Sequence, residues 1–556
     1  MSSALSTRKI SQLGEAADLD LADLFVVQRG GGPAQAIKVE ALVDFLEEHS
    51  PAGNILELTE RAEAAATEAQ VSAQKPWGGG YDRVNLDGGG RIGALVEKVF
   101  AQSNVGYGNG FAEVRIDRFG RVGTLVPAPT YPAWPGVTLP FPPLPGQLCM
   151  VLSYGQSNGE GTGGLPVPSG SIAIGRRFNA GIRTQDGQGN TDAVNHASLV
   201  ALDEQEDETT YLGNTGLRDW VTSYDAEITA QTGLGLAARG QLILAAAPGE
   251  GGASAHVLAP YSGYAIFSRL VTDITYGYIR SQALGLSFGG VQLVIHQGEA
   301  EMDDLTFTAA WSANWTQILD TIEATIVGLT QRPENVTATF GQVSAQGYDG
   351  VGGTYDLAPT IPLAQLNLAR TDPRVGLYGP QYIADFQTGD VHLTSISHSW
   401  LMDYSGRYNA EWAVTGRKPK WLQPKRAWRQ GRQVIVEFDV PVEPLVLDTS
   451  WVTDPNGQMG FELINRLTGA QITISSVTTW GGRFITLVAA SDLPQALDVA
   501  GAHTPPGGVA VTRPGRTTGA RMCLRDSKTG AFTGNIGGAF TRNRHNYCVT
   551  FRERVS

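Results

Sequence analysis

The chain has 556 residues, 42% hydrophobic and 17% charged, with a formal net charge of -13. That length exceeds what one hydrophobic core supports, so three or more domains are expected, and an acidic balance without a run of Lys or Arg excludes a nucleic-acid footprint. With 69 glycines and 29 prolines, the composition favours short strands and tight turns over long solvated helices.

Residues 1–53 lack the uninterrupted apolar core of a signal peptide, and no window approaches the roughly 18 apolar residues of a membrane span. A chain made in a cytoplasm and not inserted in a membrane is therefore expected. From Leu21 to Glu48 the pattern reads as strand, glycine turn, strand and short amphipathic helix, a module too small to stand alone. Residues 54–75 place Ile55, Leu58, Ala62, Ala65 and Ala69 at alternating steps of three and four. This is the seam of a short coiled coil or one face of a solvent-exposed single helix.

Residues 76–127 contain an internal repeat, "VNLDGGGRIGALV" from Val84 and "VRIDRFGRVGTLV" from Val114. Each copy is an alternating strand, a turn and a returning strand, so a collar of two β-hairpins is predicted. A proline-rich linker over 128–146 follows, and proline holds such a segment extended.

Over 147–416 the segments "LCMVLSY", "QLILAAAP", "GVQLVIHQG" and "VTATFGQVS" read as buried parallel strands alternating with helices. The predicted fold is a central α/β domain with a parallel sheet, whose ligands belong at the carboxyl ends of the strands. Alternation in "RQVIVEFDVPVEPL" opens a strand-rich region, and 425–556 is predicted to be a β-sandwich. Cys149, Cys523 and Cys548 are too scattered for a disulfide framework or a zinc site. They read as buried free thiols, with a Cys523–Cys548 pair as the alternative.

Polar residues collect where the α/β strands end. Ser157 follows "MVLSY", with glycines that allow a sharp turn and surrounding amide donors; on local features it is equally a turn serine. Gly251 and Gly252 follow "LILAAAP", and Gln297 follows "VQLVI". Asp390 and His392 flank one valine and share a face in an extended segment, although alone the pair reads first as a surface loop. His296 and His398 are rival bases, His296 lacking a nearby acid and His398 falling in a helix. Glu299, Glu301, Asp303 and Asp304 read as solvated helix-start carboxylates in preference to a cation site. Together these residues supply a nucleophile, a base, an orienting acid and oxyanion donors, the inventory of acyl transfer. The glycines after Ser157 are expected to leave the mouth of the site open to a polymer.

The order "GQSN", "GEGG", "HQGE", "DVH" resembles the SGNH hydrolases, specifically the sialate O-acetylesterase-like carbohydrate esterases. The resemblance covers about half the chain, residues 147–416. It implies Ser157 as nucleophile, His392 as general base and Asp390 as its orienting acid. The oxyanion hole would be formed by the Ser157 amide, Gly251 or Gly252, and Gln297, and the reaction would need neither cofactor nor metal. Asn158, His296, Glu299 and His256 would line the substrate pocket. "GGASAHVLAPY" departs from the family's second block, where a hydroxyl residue directly follows the two glycines.

The segment "KISQLGEAADLDLADLFVVQRGGGPAQAIKVEALVDFL" resembles the leading segments of bacteriophage tail fibres and tailspikes. Together the two resemblances imply a trimeric spike on a virion, bound through its N-terminus to other virion proteins. It would remove O-acetyl groups from a bacterial surface polysaccharide, outside the cell, during adsorption. The alternative is an inactive spike that only grips glycan.

Overall fold

A computed structural model describes residues 111–116, 122–127, 146–184, 192–206, 211–303, 309–331, 336–344, 359–388, 390–506 and 515–556. The N-terminal module, the coil segment, the first repeat copy and linker residues 128–145 lie outside the described residues. The chain divides into two compact units, 1–136 and 137–556.

In the first unit, β1 (Phe111–Ile116) and β2 (Val122–Pro127) pair antiparallel, with Val114 opposite Leu125. This hairpin coincides with the second repeat copy.

In the second unit, the uninterrupted apolar run of β3 (Gln147–Gly155) is buried at every residue. It lies at the centre of a seven-stranded sheet with β4 (Ile172–Phe178), β5 (Leu199–Leu202), β6 (Leu242–Ala246), β7 (Ser287–His296), β8 (Val336–Gln342) and β9 (Val375–Pro380). The order is β5-β4-β6-β3-β7-β8-β9, and β5 alone runs antiparallel. From β3 the chain crosses to β4, fills the gap with β6, and then passes to β7 on the other side. This reversal leaves a crevice at the carboxyl end of β3, the place where open α/β sheets hold ligands.

A single-turn helix α1 (Ser157–Glu160) begins at that end. The longer helices are α2 (Leu217–Thr232), α3 (Ile266–Ala283), α4 (Trp311–Thr330), α5 (Thr360–Thr371) and α6 (Ser395–Thr415). Helix α3 packs on β3 and β7, and α2 lies along α6. Among the described residues, no helix is long and apolar enough to cross a membrane.

The C-terminal region holds two four-stranded antiparallel sheets. One is built from 423–430, 433–439, 484–489 and 474–480, the other from 471–472, 461–465, 497–501 and 551–554. They meet through edge-to-face contacts among Phe438, Phe461 and Phe551. The chain is thus multidomain, with a mixed, mostly parallel sheet and additional antiparallel sheets. Cys149, Cys523 and Cys548 are free and buried.

Candidate active site

The site begins with Gly155, the last residue of β3. A Cβ there would stand 2.1 Å from the His296 carbonyl oxygen, so only glycine allows β3 and β7 to end this close together. The Gln156 amide then donates to that carbonyl at 3.0 Å, and the chain turns into α1 with Ser157 at its first position. The Ser157 amide has no carbonyl within its own helix to bond. The residue is 8% exposed, enough to reach a substrate from a protected floor.

His392 comes from the segment between β9 and α6. An isolated bridge between Phe386 and Leu393 closes this segment, and Thr394 caps α6 by accepting from the Ser397 amide. The tight closure fixes where the imidazole can point. His392 Nε2 lies 2.8 Å from Ser157 Oγ, and His392 Nδ1 lies 2.8 Å from Asp390 Oδ1. Partial burial acts to raise the Asp390 carboxyl. The hydrogen bond and charge of His392, with the Val391 and His392 amides, outweigh it and hold the group below its ordinary range. Asp390 therefore stays ionised against the imidazole across the neutral range.

Several neighbours stand elsewhere than the sequence suggests. Gln297 does not offer its amide to the site. Its Nε2 donates to Glu301 and to the Ala253 carbonyl, and its Oε1 accepts from Trp311 Nε1 at 2.6 Å. Asn158 is buried, not pocket-lining: Oδ1 accepts from the Leu393 amide at 3.0 Å, while Nδ2 faces Glu299 Oε1 at 3.1 Å and the Val391 carbonyl at 3.4 Å. Glu299 is also buried, and burial raises its pKa to about 7, with Asn158 and His392 acting to lower it. His296 is fully buried, with no hydrogen-bond partner at either ring nitrogen and a pKa lowered by burial to about 4. A histidine so placed stays neutral and cannot exchange protons with substrate, which removes it both as rival base and as pocket wall.

Glu301 is equally internal, accepting from the Ala255 amide. Glu299 and Glu301 are therefore not solvated carboxylates, and among the described residues no cluster of His, Cys, Asp and Glu could hold a metal ion. The Gly251 amide bonds the Glu160 carboxylate, whose pKa burial raises, with Glu250 adding to the effect. Gly252 is exposed at φ 71°. His256 is partly exposed on a single-turn helix, its ring 5.7 Å from that of Tyr261. Gly163 packs against His392 and Gly164 against the Asn214 backbone, so these glycines close the turn instead of opening a mouth.

Sequence reasoning missed Gln156. Its Oε1 accepts from the amides of Gly298 at 3.4 Å and Ala300 at 3.1 Å, tying the nucleophile turn to the end of β7. Its place beside Ser157 in "GQSN" was the available signal.

No family model and no curated protein matches the chain. Among solved structures, a carbohydrate acetylesterase from Xanthomonas citri is similar at 13% identity and a TM-score of 0.44, covering 73% of this chain and 80% of that one. A protein from Arabidopsis thaliana is similar at 14% identity and a TM-score of 0.32, over 48% of this chain and 98% of that one. The carbohydrate acetylesterase Est24 from Sinorhizobium meliloti gives 12% identity and a TM-score of 0.26, over 47% and 96%. At such scores the likenesses speak to neither substrate nor mechanism, which rest on the side chains.

Proposed function

We propose that residues 147–416 form a serine esterase that removes O-acetyl groups from carbohydrate. The observation that carries this reading is the continuous line Ser157 Oγ, His392 Nε2, His392 Nδ1, Asp390 Oδ1, with 2.8 Å at each of its two contacts. An imidazole held between a hydroxyl and a carboxylate can take the hydroxyl proton and carry the resulting charge.

In this reading Ser157 Oγ attacks the ester carbonyl carbon while its proton passes to His392 Nε2. Collapse of the tetrahedral intermediate breaks the carbonyl carbon to sugar-oxygen bond, and His392 returns the proton to the departing oxygen. Water, deprotonated by His392, then releases acetate from the acetyl-serine. Asp390 holds the ring in the tautomer that leaves Nε2 free to accept. With the Gln297 side chain and the Gly251 amide both committed elsewhere, the Ser157 and Gly252 amides would serve as oxyanion donors.

We further propose that the enzyme is carried on a trimeric tail fibre or spike that meets an O-acetylated bacterial surface polysaccharide. This rests on the pattern of residues 9–46. Both parts are tested on the full chain, by acetate release from acetylated polysaccharides and by its mass in solution. Ser157→Ala should lower turnover by a factor on the order of 10⁶ and leave glycan binding intact. Undiminished turnover in that variant sinks the esterase, and a monomer free of particles sinks the spike.

A further inference from the structure

A second concavity lies away from Ser157, where the later turns of α6 meet residues 419–421 and the C-terminal region. Its volume is about 380 Å³, within the range of small-ligand sites. Arg407 and Glu411 stand one turn apart on α6, and Arg407 is about 18 Å along the helix axis from Ser395, where α6 leaves the catalytic segment. A ligand here does not touch the catalytic histidine.

The lining is chemically mixed. Trp421 and Tyr408 contribute apolar surface, while Arg407, Lys528, Glu227 and Glu411 contribute charged groups. Both tyrosine and tryptophan polar atoms are already used, Tyr408 Oη on the Pro419 carbonyl and Trp421 Nε1 on the Tyr547 carbonyl. The cations are less well provided for. Arg407 is 7% exposed, and although its Nε donates to Asp403 at 3.2 Å, its Nη2 is buried with no hydrogen-bond partner. Among the described residues, no carboxylate comes within ion-pair reach of the Lys528 ammonium. Burial, with the Arg407 charge beside it, lowers the Lys528 pKa against the opposing charges of Glu227, Glu411 and Asp526.

We propose that this cleft binds a carboxylate-bearing sugar unit, its carboxylate accepting from Arg407 and Lys528 and its hydroxyls donating to Glu411 and Glu227. The mixture of charges selects this chemistry. An apolar ligand would leave the Lys528 ammonium without an acceptor, although Arg407 keeps Asp403. Inorganic phosphate would satisfy both cations but brings little to donate to the two glutamates. A sugar acid supplies one anionic group, several hydroxyl donors and a C–H face for the Trp421 and Tyr408 rings. This proposal goes beyond the esterase reading and does not depend on it.

The test is titration calorimetry on the full chain carrying Ser157→Ala, so that no turnover intervenes. The probes are digalacturonate, the uncharged galactose disaccharide and inorganic phosphate. Digalacturonate should bind at least about tenfold more tightly than either of the others, and Lys528→Met should weaken it about tenfold. Glu411→Gln, at an exposed position, should weaken digalacturonate but not phosphate. In chains retaining Ser157, Lys528→Met should release acetate from a small soluble ester at the wild-type rate. Equal affinity for charged and uncharged disaccharides, tighter binding of phosphate, no binding at all, or indifference to both substitutions overturns the proposal.

Discussion

Asn158 takes no part in bond breaking in the proposed mechanism, yet it joins the nucleophile turn to the histidine segment through Leu393 and Val391 and to Glu299. Asn158→Ala should therefore lower kcat of acetate release by roughly tenfold to a hundredfold with little change in KM, since misplacing a base by an ångström costs that much. A matching rise in KM would show instead that Asn158 touches substrate. Glu299 beside it gives a pH test. Its pKa of about 7 lies above the ordinary glutamate value, so between the two the folded state holds a proton that the unfolded state has lost. Stability contributed by that proton is present at acid pH and disappears as the pH rises through about 7. Glu299→Gln keeps the acceptor for Asn158 and removes the ionisation, so its unfolding free energy should gain on wild type from pH 5 to pH 8 by on the order of 2 kcal/mol. A constant difference across that range would refute the assignment. The motif order was enough to single out Ser157, Asp390 and His392. It could not tell which partner claims a polar side chain: Gln297 stands at a strand end like a donor, but Trp311, on a separate helix, and Glu301 take its amide.

At the scale of elements, the site depends on how closely β3 and β7 end. Gly155→Ala would drive a methyl group into the His296 carbonyl, and since both groups are backbone the strain cannot be relieved by a side-chain rotation. A loss of about 1–3 kcal/mol in thermal unfolding is expected, together with a drop in acetate release larger than the stability change explains, because Ser157 follows two residues later. Full activity in that variant would mean that the strand ends can part without moving the nucleophile. The strands β3, β6 and β7 could be recognised because burial on both faces leaves runs of mostly apolar residues, and β8 by its alternation of Val336, Ala338 and Phe340 with Thr337 and Thr339. Helix α6 could not be read as internal. "SISHSWLMDYSGRYNAEWAVT" carries polar residues on every side, yet nearly all of it is buried. Polar residues are admitted because other segments satisfy them: Ser399 donates to Asp219, Trp220 Nε1 donates to Ser405, and Trp400 Nε1 donates to the Asn543 carbonyl. Hydropathy sees none of these partners, since each is distant in sequence.

At the scale of the second compact unit, the C-terminal region is fastened to the α/β domain by buried polar contacts, not joined by a free linker. Arg544 grips the Asp403 carboxylate of α6 with Nε at 3.1 Å and Nη2 at 2.7 Å, while Ser223 of α2 donates to the same group at 2.6 Å. At the end of β8, Gln342 exchanges two hydrogen bonds with the Thr550 backbone, at 2.9 and 2.6 Å. Asp403 is fully buried, so withdrawing Arg544 leaves a carboxylate short of donors in a place water cannot reach. Residues 137–556 should accordingly unfold as one cooperative body, with loss of acetate release and loss of β-sheet signal coinciding on heating. Arg544→Ala should lower the stability of both together by about 3 to 5 kcal/mol, the cost of removing one partner from a buried ion pair. The decisive comparison is between the two probes in that variant. If the β-sheet signal melts first while acetate release persists, the regions are separately stable and the Arg544–Asp403 contact is only an interface. If the two midpoints move down in step, the α6 side chains that carry the contact also couple the C-terminal sheets to the segment holding His392.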